Sequence, residues 1–227
     1  MTAVKPRLQY FPVRGRGEPI KLNLAAANVE WEFVDLTCDK GPAVIKDLEA
    51  FPFGQAPRYI DDSVDMVQSN AICRHLGRKH GMYGANLAEA AKIDQILDGV
   101  EDQRSKYLGL IYKDELADGP KKAYFETHVD PASAQSRNWG AHFAFLSNLL
   151  KKNEGGRGFM VGNQLSIADI AVLDLVDLHL RLDFAGQFKQ LHPELTAHHS
   201  RIAAVPGIKA YLESPLRVAK VNGNNLG

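Results

Sequence analysis

The spacing of apolar and polar positions changes period several times within the first eighty residues. Residues 7–11, RLQYF, read as a strand that ends in a proline- and glycine-rich loop, PVRGRGEP. Glu18 and Pro19 suit the first turn of a helix. That helix runs on as IKLNLAAANV, with Ile20, Leu24 and Ala27 on one face. Residues 31–36, WEFVDL, alternate with a period of two and predict a second strand. Thr37–Ala50 is poorly periodic and predicts an irregular helix. Two short strands follow, 58–60 and 64–67, joined by an acidic turn at Asp61-Asp62, and then a helix over 70–80. The order predicts a mixed sheet with helices on both faces.

From Leu87 the pattern is helical throughout. Gly81–Leu87 reads as a linker, which places one domain at 1–84 and a second, all-helical one at 88–227. Ile93, Ile96, Leu97, Val100, Tyr107, Leu108 and Ile111 mark one face of a long helix. A break near Asp118-Gly119-Pro120 precedes a second long helix, interrupted around Pro131, that carries Trp139, Phe143, Leu146, Leu149 and Leu150. Ser166 and Asp169 stand in capping-box spacing, flanked by Leu165 and Ile170 as a hydrophobic staple. The helix they open, ADIAVLDLVDLHLRL, is apolar enough to be the buried centre of the second domain. Two shorter helices are expected at 193–204 and 206–213.

Composition narrows the function classes. Lys+Arg and Asp+Glu each total 27, so bulk attraction to nucleic acid or to an anionic membrane is not expected. No apolar run approaches the length of a membrane span, and MTAVKPRLQYF lacks the apolar stretch of a signal peptide. The two cysteines, Cys38 and Cys73, form no C-x-x-C pair, which argues for a reducing, cytoplasmic setting. The histidines at 192, 198 and 199 match no zinc spacing, and no metal is expected. GRGEP lacks the spacing of a dinucleotide fingerprint, and GGRG reads as a helix-ending loop.

Candidate chemistry gathers in GQAPRYIDDSVDMVQSN, residues 54–70. Pro57 has no N–H to give to a strand ladder, and a cis bond before it would turn the N–H and C=O of Ala56 toward solvent. That is the donor–acceptor pair an extended peptide needs. Ser69 sits where a helix N-cap belongs, and the amides beyond it lie at the positive end of the helix dipole, where a carboxylate is stabilised. Upstream, Tyr10 ends the first strand just before a loop and a helix start. In a thioredoxin-like sheet that corner carries the chemistry, and a phenol there can donate to a thiolate and favour the ionised form. Against a free thiol near 8.5, each unit of lowering is about 1.4 kcal/mol of preferential stabilisation. The mixed charges of DGVEDQRSK read, from pattern alone, as a solvated helix face.

YFPVRGR (10–16), FGQAP (53–57), QSNAICRHLGR (68–78), DGVEDQRSKYLGLIY (98–112) and FMVGNQLSIADI (159–170) resemble the cytosolic glutathione S-transferases. The chain is most similar to the pi class, with sigma as neighbour, over nearly its whole length. The resemblance implies a thioredoxin-like N-terminal domain, an all-helical C-terminal domain, a homodimer and glutathione as substrate. It implies that Tyr10 bonds the glutathione sulfur and that Arg16 lies near the glutamyl end. Gln55 and the backbone of Ala56 would hold the peptide middle, beside Pro57 as the family's cis proline. Gln68 and Ser69 would grip the γ-glutamyl end, and the partner subunit's Asp102 would reach the glutathione amine. Phe53 aligns with an aromatic key inserted into the partner, and Phe51 stands where pi enzymes have a reactive cysteine. Phe11, Val13, Leu108 and Tyr112 would line the pocket for the electrophile.

The chain also departs from the family pattern. Residues 38–50 contain no tryptophan, and Leu48 falls where the pi lysine would align. Lys46, two residues off, is the candidate for the glycine carboxylate. The segment 113–138 is longer than in pi proteins. The expected activity is conjugation of the glutathione thiolate to small electrophiles such as activated aromatic halides, enones or epoxides. Two alternatives stay open at this point: a glutathione-dependent isomerase of lipid peroxides such as prostaglandins, and a non-enzymatic ligand-binding relative.

Overall fold

Four strands, β1 (Arg7–Tyr10), β2 (Glu32–Asp35), β3 (Arg58–Ile60) and β4 (Asp65–Val67), form one sheet in the order β2-β1-β3-β4. β1 runs parallel to β2 and antiparallel to β3, and β3 runs antiparallel to β4. The computed structural model describes residues 5–37, 41–134 and 142–227. The chain divides into two units, Met1–His80 with Val205–Gly223, and Gly81–Ala204 with Asn224–Gly227. The first is the thioredoxin-like sheet domain that the sequence predicts. The second is the helical one.

In the first unit the strand alternation builds one continuous row. Phe33, Leu8, Tyr59 and Met66 are successive cross-strand partners. They pack with Ile20 and Leu24 of α1 (Glu18–Ala26) and with Ile72, Cys73 and Leu76 of α2 (Ser69–Lys79). Leu36, Phe51 and Val67 form a separate cluster with Val44 and Ile45 of a 3₁₀ turn, Gly41–Lys46. The irregular helix expected over 37–50 is thus a 3₁₀ segment; Cys38 lies outside the described residues. Asp61 ties the β3–β4 turn to α2. Its carboxylate accepts from the Ser63 and Val64 amides (2.8 and 3.0 Å), and lies 2.9 Å from His75 Nε2 and 3.0 Å from Lys79 Nζ. Burial alone would raise this carboxyl, but bonds from His75, Ser63 and Lys79 hold it well below the usual range.

The C-terminal segment completes this unit. The sequence assigns 88–227 to one helical domain, whereas α9 (Pro206–Leu212) packs on α1. Glu18 is fully buried at the start of α1, where its carboxylate accepts from Tyr211 Oη and Arg217 Nε, each at 2.8 Å. A buried carboxylate is tolerable only with such partners, and both come from beyond residue 204.

In the second unit α3 (Leu87–Tyr112) opens on an Asn86 cap, whose side chain accepts from the Glu89 amide. α4 (Asp118–Tyr124) continues into a π turn, Phe125–Val129, and a 3₁₀ turn, Pro131–Ser133. The expected second long helix is therefore two pieces, α4 and α5 (Phe143–Lys152), and Trp139 lies outside the described residues. α6 (Ile167–His179) is nearly all buried, and the Ser166–Asp169 capping box forms as expected. α7 (Ala185–Leu191) escapes the sequence reading, because seven residues with an internal Gly186 and no side-chain cap leave little signal. α8 (Pro193–Ala203) packs on α6. The mixed-charge stretch DGVEDQRSK is not wholly the solvated face that its pattern predicts. Gln103 and Arg104 belong to no solvated face but are buried, Gln103 donating to Tyr124 Oη (2.7 Å) and Arg104 paired with Asp174 of α6. No helix among the described residues is long and apolar enough to cross a membrane.

Candidate glutathione site

Tyr10 ends β1, and its ring is almost wholly buried. The chain leaves the strand at Phe11, whose ring centroid lies 5.7 Å from that of Tyr10, and turns back through Gly15–Gly17 into α1. This return brings the Arg16 amide to the phenol. Its N–H donates to Tyr10 Oη at 3.0 Å. The hydroxyl hydrogen must then point away from that nitrogen, as a donor to a further group. The sequence singled out the Arg16 side chain; the amide's part was invisible without the turn. Val13, next along, is buried, and Phe11 packs beside the Leu36–Phe51–Val67 cluster.

The β1–β3 ladder ends at Gln9↔Arg58, so Ala56 lies beyond it, and the Ala56-Pro57 bond is cis. Gln55 is exposed and Pro57 buried. Gln68 Nε2 donates to Gln55 Oε1 at 3.3 Å, so the two halves of the 54–70 stretch do meet. Their meeting depends on Gln68, which adopts φ 76 and ψ 104, a left-handed backbone rare for glutamine. The cap expected at Ser69 is shifted by one residue. Gln68 is the N-cap, with no side-chain cap bond, and buried Ser69 is the first helical residue of α2. The positive end of the helix dipole lies there as expected.

Other candidates fall elsewhere. Lys46 is exposed at the end of the 3₁₀ turn, and Leu48 and Phe53 are exposed apolar residues of the loop that follows. Phe51, by contrast, is core. Asp102, Leu108 and Tyr112 belong to α3 in the second unit. Asp102 and Tyr112 are exposed, and Leu108 is partly buried one turn before Tyr112.

Comparison with known proteins gives the same family in each part of the chain. Residues 6–78 match the family description "Glutathione S-transferase, N-terminal domain", and 101–215 match "Glutathione S-transferase, C-terminal domain". Glutathione S-transferase P of Capra hircus is 37% identical over 222 residues, covering 95% of both chains. Glutathione S-transferase P of Homo sapiens is 36% identical over 216 residues, again covering 95% of each. Among solved structures, the pi-class glutathione S-transferase of Onchocerca volvulus superposes with a TM-score of 0.82 at 30% identity, covering 99% of this chain and 100% of the other.

Proposed function

Because the chain belongs to the glutathione S-transferase family, with pi-class enzymes among its relatives, we propose that the Tyr10 phenol donates a hydrogen bond to the sulfur of bound glutathione and holds it as the thiolate. The activity itself is transfer of glutathione to electrophilic small molecules. In the step we assign, the sulfur lone pair forms a bond to an electrophilic carbon. A leaving group departs with the displaced electron pair; in an epoxide the C–O bond breaks and its pair stays on oxygen, in an enone the C=C π pair moves out to an enolate, and water protonates either anion. Catalysis comes from supplying the thiolate near neutral pH and from holding it beside the acceptor.

Gln55 and the Ala56 backbone would hold the peptide middle, with cis Pro57 shaping the turn. Gln68, Ser69 and the start of α2 would receive the γ-glutamyl end, near the Arg16 side chain. Lys46 is our candidate for the glycine carboxylate. The enzyme would act as a cytoplasmic homodimer, Phe53 anchoring each subunit in the other and the partner subunit's Asp102 meeting the glutathione amine. The pi-class relatives and the exposed Phe53 support that reading.

The observation that carries the proposal is the Arg16 amide on the Tyr10 oxygen, which fixes where the phenol can donate. Removing one such donor costs about 10²–10³ in rate in comparable sites. Tyr10→Phe should therefore lower kcat/KM for a chloronitrobenzene by about 10²-fold. It should also return the bound thiol toward about 8.5. Unchanged conjugation would refute the role given to Tyr10.

A further inference from the structure

We infer that Gly17 is a positioning residue for the Tyr10 phenol: its missing side chain is the space into which the ring edge fits. The inference rests on the role proposed for Tyr10.

The backbone does not explain a glycine here. Gly17 has φ −80 and ψ −25, an ordinary right-handed conformation open to any residue. The ring does explain it. A Cβ at position 17 would lie 2.6 Å from Tyr10 Cδ1, 3.2 Å from Cε1 and 3.3 Å from Cγ. The shortest contact is to Cδ1, close to the root of the side chain, so the ring cannot relieve it by bending its tip. Gly15 differs in kind. Its φ of +40 already favours glycine, and its Cβ would lie 2.7 Å from the phenol oxygen. Both glycines thus flank one edge of the ring, from Cδ1 to Oη, and the Arg16 amide between them bonds the oxygen.

The turn that carries these three residues is held from behind. The Arg14 and Gly15 amides donate to the carbonyls of Lys220 and Val221 at 2.9 and 3.0 Å. Arg14 Nε donates to the Val218 carbonyl at 2.8 Å. The glycine edge therefore cannot retreat from an added methyl without breaking these bonds, and the ring must move instead. Phe11 crowds the ring as well. Bringing the 2.6 Å contact out to ordinary van der Waals distance moves the phenol by about an ångström, which costs its alignment with the sulfur and its bond to Arg16 together. An N–H on the phenol oxygen polarises the O–H it in turn donates, so the two losses compound.

The test compares Gly17→Ala with Tyr10→Phe, reading the ultraviolet titration of the bound glutathione thiol, the pH profile of kcat/KM and the glutathione affinity. We expect Gly17→Ala to raise the bound-thiol pKa by about one unit. It should lower kcat/KM by about 10- to 100-fold, as an ångström-scale misplacement does, while glutathione affinity stays within about twofold. A folded Gly17→Ala with an unshifted thiol, beside a shifted Tyr10→Phe, overturns the inference and leaves Tyr10's role standing. An unshifted thiol in Tyr10→Phe overturns both. Should Gly17→Ala fail to fold, 3-fluorotyrosine at position 10 in the otherwise unaltered chain decides the matter. A ring gripped along one edge gives one fluorine resonance that does not split on cooling. Two lines of comparable intensity overturn the inference.

Discussion

Among single residues, Leu48 and Phe53 carry opposite lessons about what the sequence shows. Both are large, apolar and more than half exposed, at 62% and 66%. A lysine would have suited position 48 had it met a carboxylate. Leu48 instead lies about van der Waals distance from where a Cβ on Gly54 would stand, which places it beside the Phe53 loop. We therefore assign Leu48 to the same apolar patch as Phe53. Leaving a phenylalanine in water forgoes about 1.5–3 kcal/mol, and a central aromatic anchor is worth about 2 kcal/mol or more when truncated. Phe53→Ser should shift the proposed dimer toward monomer at micromolar concentration in sedimentation velocity, with the far-ultraviolet spectrum retained. A dimer equally tight after the change would remove Phe53 from the interface. Ser69 teaches a different point. Residue type marked the helix start to within one position, but the cap fell on Gln68, whose left-handed backbone no residue pattern records, and the helix starts one residue earlier, at Ser69.

At the scale of elements, the strands and most helices were legible because their periodicity is local. Besides α7 and the Gly41–Lys46 turn, an exception is the 124–133 segment, where a π turn and a 3₁₀ turn replace a helix. Three buried histidines from other elements hold it. His179 Nε2 accepts from Tyr124 Oη (2.6 Å), His192 Nε2–H donates to the Val129 carbonyl (2.7 Å), and His142 Nε2–H donates to the Asp130 carbonyl (3.0 Å). Sequence rules look for serine or aspartate as caps, so His142 passed unnoticed as the N-cap of α5, its Nδ1 accepting from the Ala144 amide at 3.0 Å. Burial lowers all three histidines, His179 to about 3. Around His142 the other titratable groups are His192, His128 and Asp130. The sign follows from proton binding. Unfolded histidine takes up protons near 6.5 while the folded rings stay neutral, so the stability they confer is full above that pH and is lost as pH falls below it. His192 can be accommodated, since Ser147 Oγ at 3.2 Å can rotate to accept from Nδ1. His142 cannot, because a protonated Nδ1 would face an amide N–H at the positive end of a helix. Amide exchange in 124–133 and the first turn of α5, corrected for intrinsic rates, should therefore quicken between about pH 7 and about pH 5. His142→Asn, which keeps an acceptor without the titration, should flatten that change. Exchange equally slow at both values in the unaltered chain would dismiss the histidine clasp.

For the whole molecule, the loss of periodicity over Gly81–Leu87 suggested a boundary at 84–88, whereas the units part at His80 and Gly81, and no local signal says that Val205–Gly223 returns to the first unit. Only the contacts reveal it, and one glycine makes them possible. A Cβ on Gly207 would lie 2.1 Å from the Ala25 carbonyl oxygen and 3.0 Å from Asn28 Oδ1, so α9 approaches the end of α1 as closely as backbone allows. Gly207→Ala must push α9 outward, since the obstacle is backbone rather than a movable side chain. Overpacking of this kind costs about 1–3 kcal/mol. Displacing α9 also strains the Tyr211 and Arg217 bonds that neutralise buried Glu18. Further along the same segment, the carbonyls of Lys220 and Val221 would loosen their hold on the Arg14–Gly15 turn beneath Tyr10. The effect should therefore reach the chemistry from a residue assigned no contact with glutathione. Gly186 is the internal control, because a Cβ there meets nothing and its helix should gain about 0.5–1 kcal/mol from alanine. We expect Gly207→Ala to lower the thermal midpoint and raise the bound-thiol pKa, and Gly186→Ala to do neither. A Gly207→Ala protein as stable as the parent, with the thiol unmoved, would show that the C-terminal segment does not support the Tyr10 turn.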